Sequence, residues 1–321
     1  MGRIQNRNAY RGLDVRSAHF SVILFFIIVV NVCCSCQALS LDISAQEMID
    51  ISQEYSIANV DSLVFADLGK KQSMVFYKGN ALFLVGSSFS IYSFESGNRI
   101  VSFDLPYGEY QPPHANVTNI GNIMYSEYSI FPVIYVSSWN NGRQAFVYDI
   151  TQINGRYQSN LVQVIDPSKV NNEIIGDGYL DWVIDNEGSY LYSLAYHVKG
   201  TSQLSEGNYT HVVKFKLPAL DSELIVLNDN DVLDHFMVPV MTVFQDKCIF
   251  ENHIFVVAGH SGLGENFPPR LYDIDTNSKE MTETILPLWG EPEGFCIYEG
   301  CKWMNLYGSN IVYNLTNLFN L

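Results

Sequence analysis

Five polar side chains occupy one recurring place in this sequence, and together they have the chemistry of a ligand mouth. Gln72-Ser73-Met74-Val75-Phe76-Tyr77 runs into a Lys78-Gly79 turn. Gln245-Asp246-Lys247-Cys248-Ile249-Phe250 runs into Glu251-Asn252, and Glu293-Gly294-Phe295-Cys296-Ile297-Tyr298 into Glu299-Gly300. Each is a polar residue, a short apolar strand, a tight turn and a second apolar strand. Counting back along the repeat aligns Gln72, His114, Asp181, Gln245 and Glu293. Polar groups converging in a concave mouth are the usual form of a small-ligand site, and a hydrated rim holding ordered water is the plainer alternative. Two carboxylates in a partly dry cleft have their pKa values pushed apart, so Asp181 and Glu293 suit a general acid and a general base, with Glu291 as a third acid. His114, Asp181 and Glu293 also fit a divalent cation such as Ca or Zn, with Gln72 and Gln245 adding amide oxygens. The expectation is nevertheless a binder with no obligatory cofactor.

The elements that must position these residues are strands. Helical periodicity is almost absent; Ala45 to Tyr55 is the one stretch that reads as a short helix. The rest is runs of four to seven residues rich in Val, Ile, Tyr and Phe, punctuated by Gly, Asn, Asp and Pro. They group into four-stranded units, the third of which takes Leu224–Leu227 as its outer strand. A fifth unit, at the C-terminus, lacks its outer strand. Asp61–Ala66 belongs to no other sheet and resembles the outer strands of the other units. Pairing it with Ser309–Leu315 closes a ring and removes a long unpaired edge. The expected fold is all-β, a five-bladed propeller over residues 60–321, with six blades as the alternative. In such a ring the first strand of each blade lines the channel. The loops leading into it and those between second and third strands share one face. That face carries the long polar loops, with Trp139, Asn140, Asn141 and Arg143 on one and His260 and Arg270 on another, so it is the expected binding face. Trp139 is the residue expected to stack on a sugar ring. Trp182, Trp289 and Trp303 are expected to pack between blades.

The N-terminus reads as an export leader. Arg3, Arg7, Arg11 and Arg16 precede an apolar run from Phe20 to Val32. That run is shorter than the roughly 20 residues a comfortable membrane span needs. The whole chain carries 18 Lys and Arg against 34 Asp and Glu. Without the four leader arginines and Asp14 these become 14 and 33, a net charge of −19. So acidic a surface repels phosphate backbones, which argues against a nucleic-acid partner. Beyond the leader stand Cys248, Cys296 and Cys301, an odd number with no C-x-x-C pair; buried free thiols are expected.

Cys33-Cys34-Ser35-Cys36 resembles a bacterial lipobox. The resemblance implies cleavage before Cys36, lipidation there, and a tether over residues 37–59. Gly290-Glu291-Pro292-Glu293-Gly294 is similar to the metal-binding opening of gluconolactonase-like propellers, with its residue order changed. Together with His114-Ala115-Asn116 and Phe131-Pro132-Val133-Ile134-Tyr135-Val136-Ser137, the lipobox makes the chain resemble TolB-like propeller lipoproteins of Bacteroides type. That resemblance implies a propeller anchored in the periplasm or outer membrane, and it supplies no catalytic residues. The expected partners are a small ligand (glycan or peptide), an envelope protein, and the membrane through a lipid anchor. The alternatives are a glycoside or metal-dependent hydrolase using Asp181 and Glu293, and a protein-interaction platform.

Overall fold

The computed structural model describes residues 46–50, 61–110, 115–138, 143–185, 189–197, 209–239, 244–259 and 268–318. Two strands precede the first complete sheet, β1 (Gln46–Asp50) and β2 (Ser62–Val64). The first blade is β3 (Ser73–Tyr77), β4 (Asn80–Val85), β5 (Ser88–Ser93) and β6 (Arg99–Asp104). The second is β7 (Ala115–Ile120), β8 (Ile134–Ser138), β9 (Ala145–Ile153) and β10 (Arg156–Lys169). A single helical turn, α1 (Asn172–Ile175), leads into β11 (Tyr179–Asp185), β12 (Tyr190–His197) and β13 (Tyr209–Lys216). Next come β14 (Leu224–Asn228) and β15 (Val232–Pro239). The fourth blade is β16 (Phe244–Phe250), β17 (His253–Ala258), β18 (Arg270–Asp275) and β19 (Met281–Ile285). The fifth is β20 (Pro292–Tyr298), β21 (Cys301–Leu306) and β22 (Ile311–Asn314).

These strands form five sheets, and the ring closes as the sequence implies. Ser62, Leu63 and Val64 of β2 pair antiparallel with Tyr313, Val312 and Ile311 of β22, so the N-terminal strand completes the last blade. The inner strands β3, β7, β11, β16 and β20 pack side by side around the hub. Burial explains why they read as apolar runs. Met74 to Phe76 of β3 are buried on both faces because blades cover each other, whereas β6 alternates exposed and half-buried residues at the rim. Among the described residues no single core serves the whole ring. Five apolar clusters fill the five gaps between neighbouring blades, such as the one joining Phe65, Phe83 and Tyr92 to Trp303 and Val312. The inner hairpins turn on positive-φ pairs, Lys78-Gly79 and Glu299-Gly300, whose twist matches the strands they join.

Two expectations are corrected here. Leu224–Leu227 does not complete the third blade. As β14 it crosses to the second blade and pairs parallel with β10, and β15 takes the outer place beside β13. Gln163 of β10 makes the crossing favourable: its buried amide donates to the carbonyls of Ala219 and Ser222, just before β14. Nor is Ala45–Tyr55 a helix over its described part. Gln46–Asp50 is a strand that pairs parallel with β19, satisfying the backbone of an otherwise open blade edge.

Candidate functional site

The five inner strands are knotted together by three consecutive residues of β16. Asp246 is fully buried, and its Oδ2 accepts from Ser73 Oγ at 2.9 Å, Met74 N at 3.1 Å and Phe295 N at 3.0 Å. One carboxylate thus ties β16 to β3 and β20. Lys247, also fully buried, sends its Nζ to Asp181 Oδ2 at 2.5 Å and to the Gln245 carbonyl at 2.8 Å. Asn116 of β7 donates its Nδ2 to both Asp181 oxygens. Asn119 of β7 donates to the Lys247 carbonyl and accepts from Ile184 N of β11. Gln245 donates its Nε2 to the Gly259 carbonyl and to Glu291 Oε1, both at 3.1 Å.

A regular strand would point Asp246 and Lys247 to opposite faces. Between Phe244 and Lys247 the pairing of β16 with β17 gains one residue, a bulge that breaks the alternation. The same device recurs on two other inner strands. β7 gains a residue against β8 at Asn116, and β20 gains one against β21 at Glu293. Bulges re-aim side chains, and here they do so at the end of the hub where the sequence repeat placed its polar residues.

Glu293 is the unusual member. It is 4% exposed, and its Oε2 has no hydrogen-bond partner among the described residues. Burial first, then the charges of Glu291 and Asp246, push its carboxyl up to about 8. Burial likewise lifts Asp246 to about 7, against the opposing pull of its four hydrogen bonds. A carboxyl held so high is a proton donor at neutral pH, and a buried oxygen without a hydrogen-bond partner is costly to the fold.

The sequence-derived residues fall into three groups. Asp181, Gln245 and Glu293 converge in one buried network, with Asp181 held by Lys247 and Asn116. The carboxyls acting on Glu293 are those of Glu291 and Asp246. Gln72 braces the same end of the ring: its Oε1 accepts from Gly86 N, in the turn between β4 and β5. His114, Trp139, His260 and Cys36 lie outside the described residues. Arg143 and Arg270 are both engaged within the protein. Arg143 donates to the carbonyls of Ile175 and Gly176 and to Asn172, capping α1. Arg270 pairs with Glu283 on the neighbouring strand and donates to the Pro268 carbonyl. Among the described residues no group of three His, Cys, Asp or Glu side chains is arranged to hold a metal. Cys248, Cys296 and Cys301 are free thiols, and burial pushes those of Cys248 and Cys296 well up, away from reactivity.

Sequence reasoning missed four residues. Asp246 and Lys247 were passed over as strand residues, although adjacent opposite charges inside an apolar run were a signal. Glu291 was given a minor part, yet it accepts from Gln245 and its charge bears on Glu293. Trp289 was expected to pack between blades. It is instead 65% exposed, on the loop leading into β20 at the end of the ring where Glu291 and Glu293 lie.

No family model matches this chain, and no curated protein matches it. Among solved structures it is similar to the WD40 domain of Neurospora crassa Pan2, at 12% identity over 76% of this chain and 74% of that one, TM-score 0.37. It is also similar to U3-55K, at 9% identity over 81% of this chain and 99% of that one, TM-score 0.41. Both likenesses are distant, and the five-bladed ring rests on the chain's own strand pairing.

Proposed function

We propose that this propeller is a binding protein of the cell envelope. It takes a small polar ligand, a glycan or a peptide, at the hub end marked by Gln245, Glu291, Glu293 and Trp289. The observation that carries this reading is the buried Glu293 carboxyl, one oxygen of which has no hydrogen-bond partner among the described residues, on the strand that follows a loop holding an indole out in solvent. Aromatic faces and buried polar groups together are how propellers and other rigid scaffolds orient small ligands. The basic leader, the apolar run and Cys36 support export and lipid anchoring, in keeping with the resemblance to TolB-like lipoproteins. A panel of oligosaccharides and short peptides, read by calorimetry, tests the reading. At least one class should bind, and Trp289→Ala should weaken it about tenfold. A panel without binding sinks this reading. Incorporation of labelled palmitate, lost in Cys36→Ser, tests the anchor.

A hydrolase is the second reading, and one observation favours it. A carboxyl raised to about 8 is poised as a general acid. Turnover of a panel member that disappears in Glu293→Gln while binding persists would select that reading.

A further inference from the structure

We infer that a groove between the third and fourth blades binds a carboxylate group through the ammonium of Lys214. The groove lies beside the turn between β18 and β19, on the face of the ring opposite the loops that lead into the inner strands. It is therefore a second site, separate from the hub mouth, and goes beyond the reading above.

The groove encloses about 410 Å³, a volume that suits a small ligand. One wall is a row of side chains across the third blade. Tyr192 of β12 stands opposite Lys214 of β13, and Lys214 stands opposite Asp234 of β15, so the three share a face. The other wall is the turn between β18 and β19, which contributes Asn277 and Lys279. Lys279 reaches across the seam to Asp234 Oδ1 at 3.0 Å, and its ammonium lies 5.5 Å from the centre of the Phe236 ring. That ion pair occupies the one carboxylate that lines the groove among the described residues. Lys214 is left with aromatic faces. Its ammonium is 3.7 Å from the centre of the Tyr190 ring and 5.5 Å from that of Tyr192. It makes no hydrogen bond or ion pair among the described residues.

Charge decides the class of ligand. Two ammonium groups and one carboxylate line the groove, a surplus of one positive charge in a chain whose net charge is −16. The tyrosine rings attract the Lys214 charge, but they give its three N–H donors no oxygen acceptor. A carboxylate supplies that acceptor as a charge-assisted hydrogen bond, and its single charge matches the surplus. A phosphate is a poorer occupant. A phosphomonoester carries about −1.5 to −2 charges at neutral pH. The groove has no arginine fork to spread over its oxygens, and Asp234 stands across from Lys214 to repel the second charge.

Two sources share this chemistry, a uronic acid residue of a glycan and an acidic side chain of a peptide. The test uses the whole chain and five probes: trigalacturonate, its full methyl ester, N-acetyl-Gly-Glu-Gly-amide, the same peptide with Gln for Glu, and inorganic phosphate. Titration calorimetry at neutral pH and low salt should show binding by at least one carboxylate probe. Its neutral counterpart should bind about tenfold or more weakly, as expected for loss of a charge-assisted bond. Which carboxylate probe binds identifies the source. Lys214→Met keeps an unbranched stem against the tyrosines, removes the charge, and should abolish the preference for the carboxylate. Asp234→Asn frees Lys279 and raises the surplus charge, so it should tighten the carboxylate probe several-fold, a gain that poor folding cannot produce. The inference is overturned by failure of both carboxylate probes, by equal binding of charged and neutral forms, or by tighter binding of phosphate. A preference that survives Lys214→Met, or an affinity that Asp234→Asn leaves unchanged, overturns it as well. The hub reading is tested by Trp289→Ala and this one by Lys214→Met, so either can fail alone.

Discussion

Glu293 and Asp246 make a contribution to stability that depends on pH. Both carboxyls are raised in the fold, to about 8 and about 7, from ordinary values of 4.5 and 3.8. Between those limits the native chain holds protons that the unfolded chain has released. The stability that these two groups contribute is therefore fully present below the ordinary carboxylate range and is lost as pH rises through 7 and 8. Denaturant unfolding across that range should show the decline, and Glu293→Gln should flatten its upper part. An unchanged slope in the variant would mean that Glu293 ionises freely in the fold. Lys247 makes a second prediction. Its removal in Lys247→Met leaves Asp181 13% exposed with only Asn116 as partner, and should cost about 3–5 kcal/mol. Adding Asp181→Asn should restore much of that loss, because the unpaired charge is the expensive part. The double variant matching the single one in stability would show that the pair is not coupled.

At the scale of the element, the bulges decide what the hub displays. The alternation of a regular strand sends neighbouring side chains to opposite faces, so Gln245 and Lys247 read as facing one way and Asp246 the other. The bulge in β16 overrides that rule, and those in β7 and β20 do the same at Asn116 and Glu293. Gly294 belongs to this device. A Cβ there would stand 2.9 Å from Met74 Cγ and 3.1 Å from Asn305 Oδ1. Gly294→Ala should destabilise the protein by about 1–3 kcal/mol through overpacking, and should shift the Glu293 side chain. A thermal melt checks the first effect and ligand affinity the second. The crossing of β14 to the second blade is the element least legible in the sequence. Leu224–Leu227 has a strand's pattern, but a pattern names no neighbour. The choice belongs to Gln163, a distant amide that receives the loop before it.

At the scale of the whole molecule, stability is shared among five wedges between blades, so each seam matters as much as any other. The closing seam is the vulnerable one, because it joins the two ends of the ring. Phe65 follows β2 and is fully buried against Phe76, Phe83 and Tyr92. Phe65→Ala should cost about 3–5 kcal/mol. Loss of Ser62–Val64 would also bare the β22 edge and promote association. Urea unfolding measures the first effect and light scattering the second. A Phe65→Ala protein as stable as its parent would deny that the seam carries load.

Taken alone, the sequence determined most of the strands, the number of blades and the closing strand. Each of these follows from local periodicity, turn residues and the need to leave no edge bare. It also aligned Asp181, Gln245 and Glu293, because a repeat carries equivalent positions to equivalent places around a ring. Only the tertiary structure decided which charges meet. The seating of Lys247 on Asp181, the pairing of Arg143 and Arg270 with other partners, the exposure of Trp289 and the burial of Glu293 all depend on bulges and on contacts between residues far apart in the chain. A side chain's period states which face it takes in a regular strand. One inserted residue reverses that face, and no local pattern records who stands across the hub.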